Sequence, residues 1–407
     1  MRTPSVMEGN GRSGGQASFA TVLSPSRMGD VNRSRVLQAL CDVGPLTRAE
    51  LARLAGVPRA TISGIVRPLL ESGLLEEGAP DRSVSRVGKP GRPLWFRSGA
   101  GLSGAVALRG DGCEAALVSA RGEVVAHHQT ELSDARDLAA VHRDVAGCLE
   151  RALGSRRGEI LGIGVAVPGV CDTTAGVVVA SSQVPALTGH ELGPELEREV
   201  GVKVVIDNDS RAQALGEKWF GEGRGFQHFA AIQTGHGLGA GLVLRGQVFR
   251  GADGRVGEIG HIPVDGQGIC ACGLRGCWET IATLPWVRAE ARAAKLPGAA
   301  NLDARGLARL AAGGSAPARD LLDRYAANLA TGLAALVQLV NPDRIILHGD
   351  AVGGGEPFRE LIAEHVRARS LPPLRAGVDL VLSRLDQQAG LLGAAGLVLS
   401  ETFNLAT

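Results

Sequence analysis

Gly257-Glu258-Ile259-Gly260-His261 is followed, eight residues on, by Cys270-Ala271-Cys272-Gly273-Leu274-Arg275-Gly276-Cys277-Trp278-Glu279, and the reading of the chain turns on these two segments. One imidazole and three thiols fall within seventeen residues, with glycines where the backbone must fold back on itself. Cysteine and histidine are the ligands that tetrahedral zinc prefers, and four protein ligands leave no open coordination position. The pattern predicts a closed, structural zinc site built from His261, Cys270, Cys272 and Cys277. The competing reading is a chance cluster of buried free thiols, the ordinary state of lone cysteines. Three of seven cysteines within eight positions favour the metal.

Around this stretch, from about residue 101 onward, short apolar runs alternate with glycine turns and longer helical patterns. Gly104–Leu108, Ala115–Ser119, Ile160–Val167, Val202–Ile206, Phe229–Gln233, Leu242–Leu244 and Arg344–Leu347 read as strands. Strands mixed with helices in this way predict an α/β sheet core, assigned to a domain over 98–407. Asp207-Asn208-Asp209 closes one strand just before the helix Arg211–Phe220. Carboxylate and amide groups at that position lie where open α/β sheets bind ligands, and they offer the paired donors and acceptors that sugar hydroxyls need. Taken singly, Asp209 could be an ordinary helix cap and Glu258 a surface ion-pair partner.

The N-terminal part reads differently. Residues 1–28 are dominated by Ser, Gly, Arg and Thr and predict a disordered tail. Residues 29–97 predict a winged helix-turn-helix. Val31–Asp42 forms the first helix, and Thr47-Arg48-Ala49-Glu50 opens the second with capping-box spacing. Gly56 permits the turn. The third helix, from about Pro58, carries Ile62, Ile65, Val66, Leu69 and Leu70 at helical spacing, with Pro68 expected to kink it near its end. In such a motif the exposed residues of the last helix meet base edges in the major groove. These are Arg59, Thr61, Ser63 and Arg67, with Lys89 and Arg92 of the basic wing on the DNA backbone or in the minor groove. The bland alternative is a three-helix interaction domain with a solvated basic face.

Bulk composition narrows the class. The 407 residues suffice for two or three domains. A net charge of +1 is compatible with a small basic module diluted by a larger neutral one. Scattered cysteines together with a thiol-rich motif favour a reducing, cytoplasmic setting. No run of eighteen apolar residues suggests a membrane span, and no apolar segment near the N-terminus suggests secretion.

The His261–Glu279 knot and the glycine-rich Thr234–Gly241 together resemble the ROK family of sugar-responsive repressors, sugar kinases and uncharacterised relatives. Gly246 and Arg250-Gly251-Ala252-Asp253-Gly254 fit the same pattern, and the likeness extends over about 31–400. It implies a two-lobed actin-like ATPase fold, a homodimer or homotetramer, and transcription-factor function where a winged helix is present. It places Asn208, Asp209, Glu258, His261 and Glu279 in the sugar-contacting set, with Pro168-Gly169 a pocket turn and Gln183 where an asparagine is common. In a kinase Asp209 would be the general base. The nucleotide elements depart from the family pattern. Asp-x-Gly-Gly-Thr is replaced by Ala107-Leu108-Arg109-Gly110-Asp111, the second cradle has His236, and the adenosine-side turn reads Leu347-His348-Gly349-Asp350. The expectation is therefore a repressor of carbohydrate uptake or catabolism genes that binds operator DNA and a sugar or sugar phosphate, without catalysis. The alternatives are an ATP-dependent hexose kinase carrying a DNA-binding module, and a regulator whose effector is another protein.

Overall fold

The computed structural model describes residues 25–80, 91–97, 99–264, 267–374, 377, 379–385 and 388–402. The first helix, α1 (Pro25–Val43), starts inside the segment expected to be a tail. After it come β1 (Leu46–Thr47), α2 (Arg48–Ala55), α3 (Arg59–Glu71), β2 (Leu75–Glu77) and β3 (Pro93–Phe96), with sheet order β1-β3-β2. The expected capping box is present: the Thr47 hydroxyl accepts from the Glu50 amide while the Glu50 carboxylate accepts from the Thr47 amide. Gly56 closes α2 in the left-handed region at φ 64°, where a Cβ would be strained. Val36, Leu37, Leu51, Ile62, Val66, Leu75 and Leu94 make the core. Pro68 does not end α3, which continues to Glu71. It removes only the bond to the Gly64 carbonyl, and Gly64 is exposed to water.

A first lobe follows. It comprises β4 (Leu102–Leu108), β5 (Gly112–Val118), β6 (Val124–Glu131), α4 (Leu138–Leu153), β7 (Ile160–Val167), β8 (Val170–Asp172), β9 (Val177–Ala180), α5 (Leu192–Val200), β10 (Val204–Asn208) and α6 (Asp209–Phe220). Its main sheet runs β10-β7-β4-β5-β6, parallel across the first three strands and antiparallel across the last three. β6, unforeseen from the sequence, alternates half-buried and exposed residues along its length, as an edge strand does. The second lobe holds β11 (Phe229–Thr234), β12 (Gly239–Leu244), β13 (Gln247–Val248), α7 (Leu284–Ala293), α8 (Ala304–Ala312), α9 (Ala316–Val340), β14 (Arg344–Gly349), α10 (Asp350–Arg369) and β15 (Asp379–Leu382), after which α11 (Ala389–Thr402) returns to pack on the first. Its sheet order is β13-β12-β11-β14-β15.

Two helices join the lobes. α11 packs on β4 and β7, α6 packs on β11 and β12, and the two helices pack on each other. This contact is close enough to require glycine. A Cβ at Gly393 would lie 1.7 Å from the Ala212 carbonyl oxygen, and one at Gly164 would lie 1.8 Å from that of Ala394. The far end of α6 reaches the N-terminal helix-turn-helix domain. Trp219, with Phe220 packed beside it, belongs to the same apolar cluster as Leu40, Leu46 and Phe96. An open cleft of about 360 Å³ beside that contact is bordered by Leu40, Trp95, Phe96, Trp219, Phe220 and Arg224.

Candidate ligand and metal site

The four residues of the zinc motif converge. One ligand atom from each of His261, Cys270, Cys272 and Cys277 lies within 4.8 Å of all the others. Cys270 Sγ is 3.6 Å from His261 Nδ1, and Cys272 Sγ is 3.6 Å from Cys277 Sγ. Tetrahedral bonds of about 2.1 Å to nitrogen and 2.3 Å to sulfur put neighbouring ligand atoms roughly 3.6–3.8 Å apart, so the donor set fits one ion at its centre. Local backbone explains the convergence. The Cys270 amide bonds back to the Leu274 carbonyl and the Gly273 amide to the Cys270 carbonyl, with Gly273 at φ 89° and Gly276 at φ 70°. Trp278 anchors the knot: it is fully buried, donates through Nε1 to the Asn328 carbonyl at 2.8 Å, and lies so close to Gly332 of α9 that a Cβ there would collide.

The polar residues expected around a sugar come together on either side of this knot. Asn208 caps α6, its Oδ1 accepting from the Ser210 and Arg211 amides, while its Nδ2 donates to the Gly169 carbonyl at 2.9 Å. The Pro168-Gly169 turn is therefore tied to the start of α6. Asp209 Oδ1 accepts from the Ser210 amide at 2.8 Å and from Asn208 Nδ2 at 3.0 Å. Burial, aided by the nearby Glu258 carboxylate, lifts the Asp209 carboxyl to about 6. Glu279 Oε1 accepts from the Leu238 amide at 3.0 Å, and its Oε2 lies 3.8 Å from His261 Nδ1 and from Cys270 Sγ. The Ala240 amide bonds the Gly257 carbonyl, seating the Glu258–His261 turn on β12.

One set of residues escapes a reading of the sequence alone. Asp207 is fully buried, receiving Arg211 Nε at 2.7 Å on one oxygen and Arg250 Nε and Nη2 at 3.1 and 2.7 Å on the other. Arg211 Nη1 also donates to the Val256 carbonyl. This paired, hydrogen-bonded carboxylate fixes the 250–256 loop to the strand that ends at Asn208. A carboxylate closing an apolar strand, with arginine four residues later on a helix, is the available signal.

The β4–β5 turn and the end of β14, where the sequence departs from the family pattern, are held by polar contacts within the chain. Arg109 and Asp111 sit in the β4–β5 turn, closed by the Arg109 amide on the Gly112 carbonyl at 2.8 Å. The Arg109 guanidinium pairs with Glu114 and lies 3.5 Å from Asp111. On the other side, burial drives the His348 imidazole down to about 4, and the ring faces Glu217 at 3.3 Å. Asp350 begins α10, accepting from the Ala304 amide at 3.0 Å and from the Tyr325 hydroxyl at 2.9 Å.

In the N-terminal domain Arg59, Thr61, Ser63 and Arg67 are all exposed on α3. Arg59, Ser63 and Arg67 follow one stripe at four-residue spacing, and Thr61 stands across the exposed arc. Arg92 lies 3.6 Å from Glu77, which Arg48 also engages. Lys89 lies outside the described residues. No described helix is long and apolar enough to cross a membrane.

A helix-turn-helix domain resting on a two-lobed α/β body with a Cys₃His knot beside its interlobe acids defines a class of two-domain proteins. Residues 103–401 match the model of the ROK family and residues 30–83 that of the MarR family. The chain belongs to the ROK family. It is 34% identical over 252 residues to a glucokinase of Thermotoga maritima, a match covering 58% of this chain and 78% of that protein. It is 27% identical over 386 residues to a xylose repressor of Caldicellulosiruptor bescii, covering 91% and 96%. A crystal structure described as a ROK family transcriptional regulator, homologue of the Escherichia coli MLC protein, superposes with a TM-score of 0.76 at 28% identity, covering 93% of this chain and 99% of that one.

Proposed function

We propose that the protein is a sugar-responsive DNA-binding transcriptional regulator, a repressor of carbohydrate uptake or catabolism genes. One observation carries the reading. The repressor relative matches over nine-tenths of the chain, helix-turn-helix included, whereas the glucokinase matches just over half. Recognition of operator DNA falls to Arg59, Thr61, Ser63 and Arg67 of α3, helped by Arg92 and Lys89. The sugar or sugar phosphate is held by Asn208, Asp209, Glu258, His261 and Glu279, whose carboxylates accept hydroxyl protons. A bound zinc ion would supply no chemistry in this closed ligand set; it would hold the loop. His261, Cys270, Cys272 and Cys277 keep Glu258 and Glu279 facing Asp209 across the cleft. A homodimer or homotetramer would present two winged helices to paired half-sites, and DNA as partner places the work in the cytoplasm.

Loss of kinase activity is part of the proposal. Phosphoryl transfer needs a glycine backbone cradle and charge neutralisation around the polyphosphate. Arg109 is already matched by Glu114 and Asp111, which leaves negative charge in the turn where phosphate would lie. A hexose kinase with Asp209 as general base is the second reading, favoured by the carboxyl's position near 6. Fluorescence anisotropy on DNA from the operator region, titrated with hexoses and pentoses, tests the first reading. Failure to bind any such duplex overturns it, and ATP turnover on a hexose in a coupled assay establishes the second.

A further inference from the structure

A second cluster of metal-ligating side chains lies in the first lobe, on different elements from the cysteine knot. His142 projects from α4, His190 from the segment between β9 and α5, and Glu195 from the first turn of α5. One ligand atom of each falls within 4.8 Å of the others. Glu195 Oε2 is 3.4 Å from His142 Nε2 and 3.0 Å from His190 Nε2. Both of those nitrogens are nonetheless buried and without a hydrogen-bond partner. The carboxylate oxygen stands close to each ring but off its N–H axis, so both buried nitrogens are left without a hydrogen bond beside the same carboxylate.

We propose that His142, His190 and Glu195 bind a divalent transition cation. Imidazole and carboxylate donors suit zinc, cobalt, nickel and copper, and do not suit magnesium. Metal–ligand bonds of about 2.1 Å separate neighbouring ligands by roughly 3.0 Å in octahedral and 3.4 Å in tetrahedral geometry, which brackets the two separations observed. On its other side His142 Nδ1 lies 3.6 Å from Glu199 Oε2. A carboxylate there favours the tautomer with hydrogen on Nδ1, leaving the Nε2 lone pair for the metal. Glu195 and Glu199 are one helical turn apart on α5, so one helix supplies a ligand and the group that orients another. Three protein ligands leave an open position, and the side chains of His142 and Glu195 are partly exposed, so the ion exchanges with solvent, unlike one enclosed by four ligands. Bound there, it clamps α4 to α5, the helix packed on β10, which carries Asp207 and Asn208.

The test is cobalt titration of the full-length, metal-stripped protein, read by stoichiometry and by visible absorption. The wild type is expected to take up two Co²⁺ per chain, one with thiolate-to-cobalt charge transfer and one without. His142→Ala and the near-isosteric Glu195→Gln should each lose the ion lacking the thiolate band and keep the other. Cys272→Ser should do the reverse, so failure of the cysteine site and failure of this one are distinguishable. The melting temperature should rise on saturating the second site in the wild type and not in Glu195→Gln, and excess Mg²⁺ should not compete. Uptake of a single ion by the wild type overturns the proposal. So does a second ion that persists in the His142→Ala, His190→Ala double variant.

Discussion

Asp209 lies at the centre of the proposed sugar site and carries an electrostatic penalty that a single substitution should expose. Its carboxyl moves from an ordinary 3.8 to about 6 on folding, because its half-buried position strips it of water and the Glu258 carboxylate is near. At roughly 1.4 kcal/mol for each factor of ten in proton affinity, ionising it in the folded protein costs about 3 kcal/mol. The sign follows from proton uptake: between about 4 and 6 the folded state holds the proton more often than the unfolded state, so stability falls as pH rises through that window. Asp209→Asn removes the charge and retains an oxygen that can accept from the Ser210 amide. The variant should therefore be more stable than wild type at pH 8, by up to about 3 kcal/mol, with the gap narrowing towards pH 5. The same substitution should abolish the response to sugar, because a neutral amide accepts hydroxyl protons more weakly than a carboxylate. In the wild type, sugar affinity should decline as pH drops below about 6. Denaturant unfolding of both proteins at pH 5 and pH 8 measures the difference. A stability gain from Asp209→Asn that is absent at pH 8, or equal at both pH values, refutes the assignment of a half-buried, charge-crowded carboxyl.

Arg59→Ala should weaken operator binding roughly 10- to 100-fold, the range for a lost arginine contact to a base; unchanged affinity in a gel-shift titration removes it from the recognition set. Cys272→Ser should lower bound zinc by one ion per chain and blunt the sugar response together, and unaltered zinc stoichiometry by mass spectrometry refutes the ligand set. Gly164→Ala forces a methyl to within 1.8 Å of the Ala394 carbonyl oxygen and should cost about 3 kcal/mol or more, seen as a large drop in melting temperature; a melting temperature within a degree of wild type contradicts the packing. Phe220→Ala should leave calorimetric sugar affinity intact while shrinking the effect of sugar on DNA binding. A full effect in that variant means the end of α6 is not the route.

Much of this architecture is legible in the sequence, for identifiable reasons. The capping box at Thr47 and Glu50 is a local interaction, so three-residue spacing suffices to read it. The Cys₃His cluster is nearly as local, with all four side chains inside seventeen residues and glycines at the positive-φ turns. Strands β7 and β11 are buried on both faces and read as continuous apolar runs. β6 escapes such a reading because its residues alternate between half-buried and exposed and include His127, His128 and Gln129. The Asp207–Arg250 pair escapes it because its partners lie 43 residues apart and meet only through the fold. Pro68 matters less than its place inside a helix suggests, since solvent serves the one carbonyl it leaves unpaired.

The placement of α6 makes a sugar switch physically direct. Its first residue is Asp209, and Trp219 and Phe220 at its end pack in the cluster shared with the DNA-binding domain. Twelve helical residues span about 18 Å, a rigid rod between the two sites. A ligand biases a conformational equilibrium only by touching the two states differently. A sugar bridging Asn208 and Asp209 on the first lobe to Glu258 and Glu279 on the second would meet that condition, whereas one held by a single lobe would not. Moving a population from 1:99 to 99:1 requires about 5.5 kcal/mol of differential binding, and hydrogen bonds to charged groups contribute roughly 1.5–3 kcal/mol each. Two or three hydroxyl contacts made only in the closed arrangement therefore suffice. The Asp207–Arg250–Arg211 lattice then decides whether closure reaches the helix. Because it fastens the 250–256 loop to the base of α6, a displacement of that loop on sugar binding would be passed to the helix, whose aromatic end packs in the cluster shared with the winged helix.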